Sequence, residues 1–463
     1  MRVSNSISIF FTILFLAIFW GCRSAEEVTK PGVQKGEPEK EANTLQAIFE
    51  DSEVFSGIFT GFMLYDPDKD SVLYAQNENR YFTPASNTKL FTFYTGLKML
   101  PDSLPGIQYF IKGDSLIFRG TGDPSFLHPD FGNPAIFQFL KESDNELYYT
   151  DEHFDDEVLG PGWSWSDFNS YYSAEKSPFP VFGNVMRVTV EEIEQLQIAS
   201  DSSGLKVSPA FFRSKIENKV SKKNPPLIER DFFDNQFRYN PRSDTTTYTT
   251  DKPFHYTPEL ITEMLSDTLG KPVTYIASSF TEDYKTIYSV QADSVYKRML
   301  QPSDNFIAEQ ILLVTASQMG ELLNSRTVIE YMKKNHLSGM PDEPQWVDGS
   351  GLSRYNMFTP RSIIWLLEQI DNEFLYDPDL FELLPAGGES GTIKNWYAAP
   401  DSTEPYVFAK TGTLSNNHCL SGFVITNTGK KLLFSFMNNH YVTSSSIVKN
   451  EMEYVLRHIR TTY

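Results

Sequence analysis

The two ends of the chain share one texture and the middle has another, which restricts the fold more than any single motif. Residues 58–77, "IFTGFMLYDPDKDSVLYAQN", read as two strands around a polar Asp-Pro-Asp-Lys-Asp turn. An apolar helix is predicted from Ser86: Leu90, Phe93, Tyr94 and Leu97 recur at helical spacing, with Phe91 and Leu100 widening the stripe. "PDSLPG" (101–106) closes it. At the far end come helical patterns in "NFIAEQILLVTASQM", "SRTVIEYMKKN" and "PRSIIWLLEQI", then strands "PYVFAKTGTL", "CLSGFVITN" and "KKLLFSFMNN". The Asn427-Thr-Gly-Lys430 turn makes the last two strands a hairpin, and a final helix, "SIVKNEMEYVLRHI", follows. Between the ends, "IQYFIKGD", "SLIFRG", "ELYYTD" and "VMRVTV" are short aromatic strands set among Gly, Pro and Asn/Asp turns, with one clear helix in "TPELITEMLSDTL" (257–269). The expectation is one α+β domain, residues 44–106 and 286–463, split by a mainly β insert at 107–285.

The N-terminus lies outside this scheme. Arg2 precedes the apolar run "ISIFFTILFLAIFWGC", too short for a comfortable membrane span. Ending on Gly-Cys, the run resembles a bacterial lipoprotein signal. That reading makes 1–21 a signal peptide, Cys22 the lipidated first residue, and "RSAEEVTKPGVQKGEPEKEAN" (23–43) a flexible tether. An uncleaved membrane anchor is the alternative, and either way the rest of the chain is exported. The outer membrane, facing the periplasm, is the expected location; "SAEE" just after Cys22 leaves surface export open. With Cys22 lipidated only Cys419 remains, so no internal disulfide can form, and "HCLSGFVIT" makes Cys419 a small packed residue on a strand. The net charge of −20 argues against a nucleic-acid partner.

Ser-x-x-Lys occurs five times, beginning at Ser86, Ser173, Ser203, Ser294 and Ser446. Only its surroundings can choose among them. Lys410-Thr411-Gly412 occurs once, followed by Thr413. Ser-Asp-Asn occurs at Ser143–Asn145, where it falls in a turn, and at Ser303–Asn305, where it opens a helix. Ser446 comes after Lys410, Ser294 stands too close to Ser303, and Ser173 and Ser203 lie in the insert. Ser86 alone follows a strand pair and opens an apolar helix. A serine hydroxyl needs a base within hydrogen-bond reach, and Lys89, three residues on, shares its helix face. Burial and a second cation such as Lys410 would lower the Lys89 pKa toward that role. A helix start at Ser86 would add the favourable end of the helix dipole.

The ordered set S-x-x-K, S-x-N, K-T-G is that of penicillin-interactive serine enzymes. Here Ser303 lies 217 positions after Ser86 and 107 before Lys410. With "GTGDPSF" (120–126), "GPGWSWSDFNSYYSA" (160–174), "DGSGLSRYN" (348–356) and "LPAGGESGTI" (384–393), the chain resembles the D-alanyl-D-alanine carboxypeptidase/endopeptidase family of low-molecular-mass penicillin-binding proteins, in the group with a large insert between the first two motifs. The likeness runs from about residue 60 to 425. It implies a transpeptidase-type fold of the penicillin-binding and serine β-lactamase kind. Peptidoglycan stem peptides are the implied substrates, and β-lactams covalent inhibitors. Ser86 is then the nucleophile, Lys89 its base, and Ser303 the relay to the leaving amine. Asn305 holds the substrate amide and orients Lys89. Lys410 and Thr411 meet the substrate's terminal carboxylate, Gly412 and Thr413 belong with Thr411 to the substrate-binding strand, and the N–H groups of Ser86 and Thr413 form the oxyanion hole.

By the same resemblance Asp167, Tyr172 and Arg354 lie near the cleft, where an acid and an arginine suit the amine and carboxylate of a diamino-acid side chain. An aromatic mini-core with a capping aspartate explains the same residues. The seven histidines show no ligand spacing, so neither a metal nor another cofactor is expected, and His418 is placed in a polar loop. A serine β-lactamase and a non-catalytic cell-wall-binding lipoprotein remain as alternatives. Carboxypeptidase and endopeptidase action are not separable here, since both cleave after D-alanine.

Overall fold

The computed structural model describes residues 44–132, 134–190, 205–218, 228–240, 247–278, 280, 283–374, 380–400 and 402–463. The leader 1–21 and the tether with Cys22 at its head (22–43) lie outside the described residues.

The two ends of the described chain build one antiparallel sheet. Its strands run in the order Val407–Leu414, Asn417–Ile425, Lys431–Asn439, Phe59–Asp66 and Ser71–Gln76. The Phe59–Asp66 strand is buried along almost its full length because helices cover both faces of the sheet. Alternation along it decides which side chain meets which layer. Phe62 and Leu64 pack with Leu45, Phe49 and Phe55 near the N-terminus and with Val448, Met452 and Leu456 of the closing helix Ser445–Thr462. Met63 and Tyr65 pack on the other side among Phe91, Phe93, Ile307, Ile311, Ile363 and Leu367. Those residues come from the helices Lys89–Met99, Asn305–Gln318 and Pro360–Glu373. The Asn305–Gln318 helix is buried on nearly every side, so it forms the centre of that layer.

The middle of the chain is mainly β, as its texture implies. A mixed five-stranded sheet runs Val273–Tyr275, Glu146–Tyr149, Ser115–Gly120, Ser103–Lys112, Lys285–Gln291, and two three-stranded sheets accompany it. The helices Ala135–Glu142 and Pro258–Leu269 help close a core around Phe118, Tyr149, Phe179, Phe212 and Met264. The expected insert limits, 107 and 285, fall within paired strands. Strand Ser103–Lys112 already begins inside "PDSLPG" and pairs with Lys285–Gln291, the register slipping where Pro105 meets Tyr288.

Two start points differ from expectation. Ser86 lies in a 3-10 turn, Ala85–Thr88, and the α-helix begins at Lys89. The 3-10 turn includes Asn87. Its side chain is buried, donating to the Lys410 carbonyl at 2.6 Å and accepting from Ser421 Oγ at 2.8 Å. Ser303 stands outside its helix with φ +65°, because Asp304 is the N-cap and accepts from Ile307 N–H at 3.1 Å.

Candidate active site

Three segments converge on Lys89. The 3-10 turn places Ser86 Oγ 3.0 Å from Lys89 Nζ. The helix beginning at Asn305 brings Asn305 Oδ1 to 2.7 Å, and the 348–351 turn brings the Ser350 carbonyl to 2.7 Å. The side chain is fully buried, and loss of water pushes the Lys89 amine down to about 8, against the pull of Asp348, Glu309 and Asp304. An ammonium has three N–H donors, one for each acceptor. The neutral amine has two donors and a lone pair. Asn305 Oδ1 and the Ser350 carbonyl can only accept, so the lone pair faces the partner that can also donate, the Ser86 hydroxyl.

Hydrogen bonds to Asn305 and to the 348–351 turn fix this arrangement. Asn305 Nδ2 donates to the Tyr172 carbonyl at 2.9 Å, which holds the amide with its oxygen toward Lys89. Glu309, one turn along the same helix, accepts from Gly349 N–H at 3.0 Å and Ser350 N–H at 2.7 Å, so it aims the Ser350 carbonyl at Lys89. Burial, then the charge of Asp348, pushes the Glu309 carboxyl up to about 7. Asp348 accepts from Gly351 N–H, Ser353 N–H, Trp163 Nε1 and Asn356 Nδ2 at 2.6–2.9 Å. A Cβ on Gly351, at φ +81°, would lie 1.9 Å from the Ala85 carbonyl, so the turn seats on the Ser86 segment.

Lys410 lies on the edge strand of the main sheet. Its buried Nζ donates to Ser303 Oγ at 2.8 Å and to the Thr411 carbonyl at 3.0 Å. Burial first, and the Lys89 charge second, hold its pKa well below the ordinary lysine value. Gly412 is where this strand passes the Ser86 turn: a Cβ there would stand 2.2 Å from the Pro84 carbonyl and 3.1 Å from Ser86 N. Thr411 Oγ1 meets Thr392 Oγ1 at 2.7 Å, and Thr413 Oγ1 meets His418 Nδ1 at 2.9 Å.

Ser86, Lys89, Ser303, Asn305, Lys410, Thr411, Gly412 and Thr413 are therefore gathered on adjoining elements. Tyr172 reaches the group through its backbone carbonyl. Asp167 is half-buried and Arg354 exposed, and neither side chain has a hydrogen bond or ion pair among the described residues. Their segments do touch, since a Cβ on Gly162 would lie 2.7 Å from the Tyr355 ring. His418 is not in a loop. The turn takes only Ser415 and Asn416, and His418 pairs with Thr413 across the hairpin, fully buried. Cys419 beside it is buried on the same strand, and burial pushes its thiol up to about 12. Glu309, Asp348, Asn87 and Thr392 were not singled out as site residues; Asp348 and Thr392 lie within "DGSGLSRYN" and "LPAGGESGTI", and Glu309 carried a spacing signal on the Asn305 helix face at i+4. Among the described residues no group of three or more His, Cys, Asp or Glu side chains could hold a metal ion.

The chain is 26% identical over 415 residues to the penicillin-sensitive carboxypeptidase A of Dictyostelium discoideum, covering 77% of this chain and 76% of that protein. It is 25% identical over 441 residues to the D-alanyl-D-alanine carboxypeptidase of Actinomadura sp. (strain R39), covering 85% and 80%. Among solved structures, penicillin binding protein 4 (dacB) from Haemophilus influenzae superposes with a TM-score of 0.72 at 19% identity, over 90% of this chain and 99% of that one. The sequence profile of the D-Ala-D-Ala carboxypeptidase 3 (S13) family matches residues 41–459, a span that takes in every described strand, and the chain belongs to that family.

Proposed function

We propose that this carboxypeptidase cleaves the D-alanyl bond of peptidoglycan stem peptides through an acyl-enzyme on Ser86. The observation that carries the reading is the donor count at Lys89: once neutral, its lone pair is directed at the Ser86 hydroxyl. Neutral Lys89 takes the proton as Ser86 Oγ attacks the D-alanyl carbonyl carbon. The N–H groups of Ser86 and Thr413 hold the developing oxyanion, each worth about 3 kcal/mol in the transition state. The close approach of Gly412 to Ser86 N supports this pairing. Ser303, in contact with Lys410, relays that proton on to the leaving nitrogen, so Lys89 is neutral again as the C–N bond breaks, and water then hydrolyses the ester. Lys410, Thr411 and Thr413 meet the substrate carboxylate. A penicillin enters the same chemistry and remains as an ester, because its leaving amine stays tethered.

The leaving amine is D-alanine in a carboxypeptidase and a cross-linked side chain in an endopeptidase; both fit this acyl-enzyme. Asp167, Tyr172 and Arg354 are assigned to the side chain of the stem peptide's diamino acid. Support comes from the contact of the 160–174 segment with Asn305 and with the Asp348 turn. Cys22 is assigned as a lipid attachment point, holding the enzyme at the envelope, on the apolar run that precedes it.

Labelling with a fluorescent penicillin tests the core of the proposal. Wild type should label covalently and Ser86→Ala should not; an unlabelled wild type or a labelled mutant overturns it. Mass spectrometry of cross-linked muropeptides after digestion then separates the two leaving groups.

A further inference from the structure

We propose that His418 is a positioning residue that makes the Thr413 hydroxyl a hydrogen-bond donor aimed at an anionic group in the cleft, so that the enzyme favours substrates ending in a free carboxylate. This rests on the reading that Thr413 faces the substrate's carboxylate.

His418 pairs directly with Thr413 across the hairpin, and its ring is fully buried. Burial, with the nearby Lys449 charge, pushes its pKa down to about 3, so the imidazole is neutral at working pH and holds one N–H and one lone pair. Nδ1 lies 2.9 Å from Thr413 Oγ1, whereas the buried Nε2 has no hydrogen-bond partner among the described residues. The two tautomers differ sharply in consequence. With the proton on Nε2, a buried donor is stranded, and Nδ1 must accept from Thr413, turning the threonine's lone pairs outward. With the proton on Nδ1, that donor is satisfied by Thr413 Oγ1, and only a lone pair goes unused. Stranded buried N–H groups are rarer than under-used acceptors, so the structure favours the Nδ1–H form. Thr413 lies at the exposed end of the edge strand. With its lone pair occupied by His418, its own hydrogen is free for a carboxylate oxygen. A C-terminal amide nitrogen offers no acceptor in that place.

Histidine-labelled protein in 15N NMR tests the tautomer directly, with His418→Asn identifying the resonance. A protonated Nδ1 and bare Nε2, unchanged from about pH 5 to 9, is expected; an Nε2–H form or an imidazolium overturns the proposal. The functional arm compares kcat and KM for a peptide ending D-Ala-D-Ala with those for its C-terminal carboxamide. His418→Phe should lower kcat/KM on the free acid about 10- to 100-fold, the range for a hydrogen bond to a charged group, while changing the carboxamide less than about threefold. His418→Asn, whose amide N–H can replace Nδ1–H, should restore most of the loss. Equal losses on both peptides overturn the proposal. If His418→Phe does not fold, His418→Leu carries the same expectation. Wild-type penicillin labelling is the separate control: its failure removes the acyl-enzyme, while the tautomer result stands by itself.

Discussion

The acylation rate should follow the titration of Lys89. With its amine at about 8, roughly one molecule in eleven holds the neutral base at pH 7, half do at pH 8 and about ten in eleven at pH 9. Acylation by a penicillin should therefore rise about fivefold from pH 7 to 8 and less than twofold from pH 8 to 9. Glu309→Gln tests the cause. The carboxylate of Glu309 raises the Lys89 pKa, so its removal should move the rising limb to lower pH. Gln also keeps only one acceptor for the two amides of Gly349 and Ser350, so the plateau should fall while the limb shifts. Stopped-flow acylation from pH 6 to 10 reads both effects. The same shift must appear in stability. Folding lowers the Lys89 pKa from 10.5 to about 8, so between these values the unfolded chain binds more protons than the native one. Stability should rise with pH through that window, by up to about 3 kcal/mol from this group, and Lys89→Met should flatten the rise. A wild-type rate that is flat from pH 6 to 9, or a limb that moves upward in Glu309→Gln, would refute Lys89 as the base.

Other expectations follow from single contacts. Ser303→Ala removes the acceptor 2.8 Å from Lys410 Nζ and should slow acylation about 10²- to 10⁴-fold with an unchanged circular dichroism spectrum. Gly412→Ala puts a Cβ 2.2 Å from the Pro84 carbonyl; the edge strand must move off the nucleophile turn, and penicillin labelling should fall at least tenfold while the protein stays folded. Asp348→Ala strands the four donors that meet on it, each costing roughly 1–3 kcal/mol when buried, so the urea midpoint should drop markedly.

What could be read from the sequence, and what could not, divides along a physical line. Hydrophobic period shows which faces are buried, and so the strands at 59–76 and 407–439 and the helices between them were legible. Motif order added Ser303, Asn305 and Lys410, because three polar signatures in sequence leave few ways to share one cleft. Burial of polar groups by distant elements leaves no such trace. "LSNNHC" is polar in composition, yet only Ser415 and Asn416 form the turn; hairpin register then sets His418 beneath Thr413 in a sheet covered on both faces. Glu309 occupies a helix whose neighbours are almost all apolar, and only the fold brings the Gly349 and Ser350 amides to it. The expected insert limits fall within strands Ser103–Lys112 and Lys285–Gln291, which are partners only in space and leave no local mark of their pairing. In the proposed mechanism the motif residues carry the chemistry, and these contacts position them. A lysine three residues after a serine occurs five times in this chain, but at Lys89 three acceptors meet one buried amine, and two of them, Asn305 Oδ1 and the Ser350 carbonyl, are held there by Tyr172 and Glu309, which lie in none of those tetrapeptides.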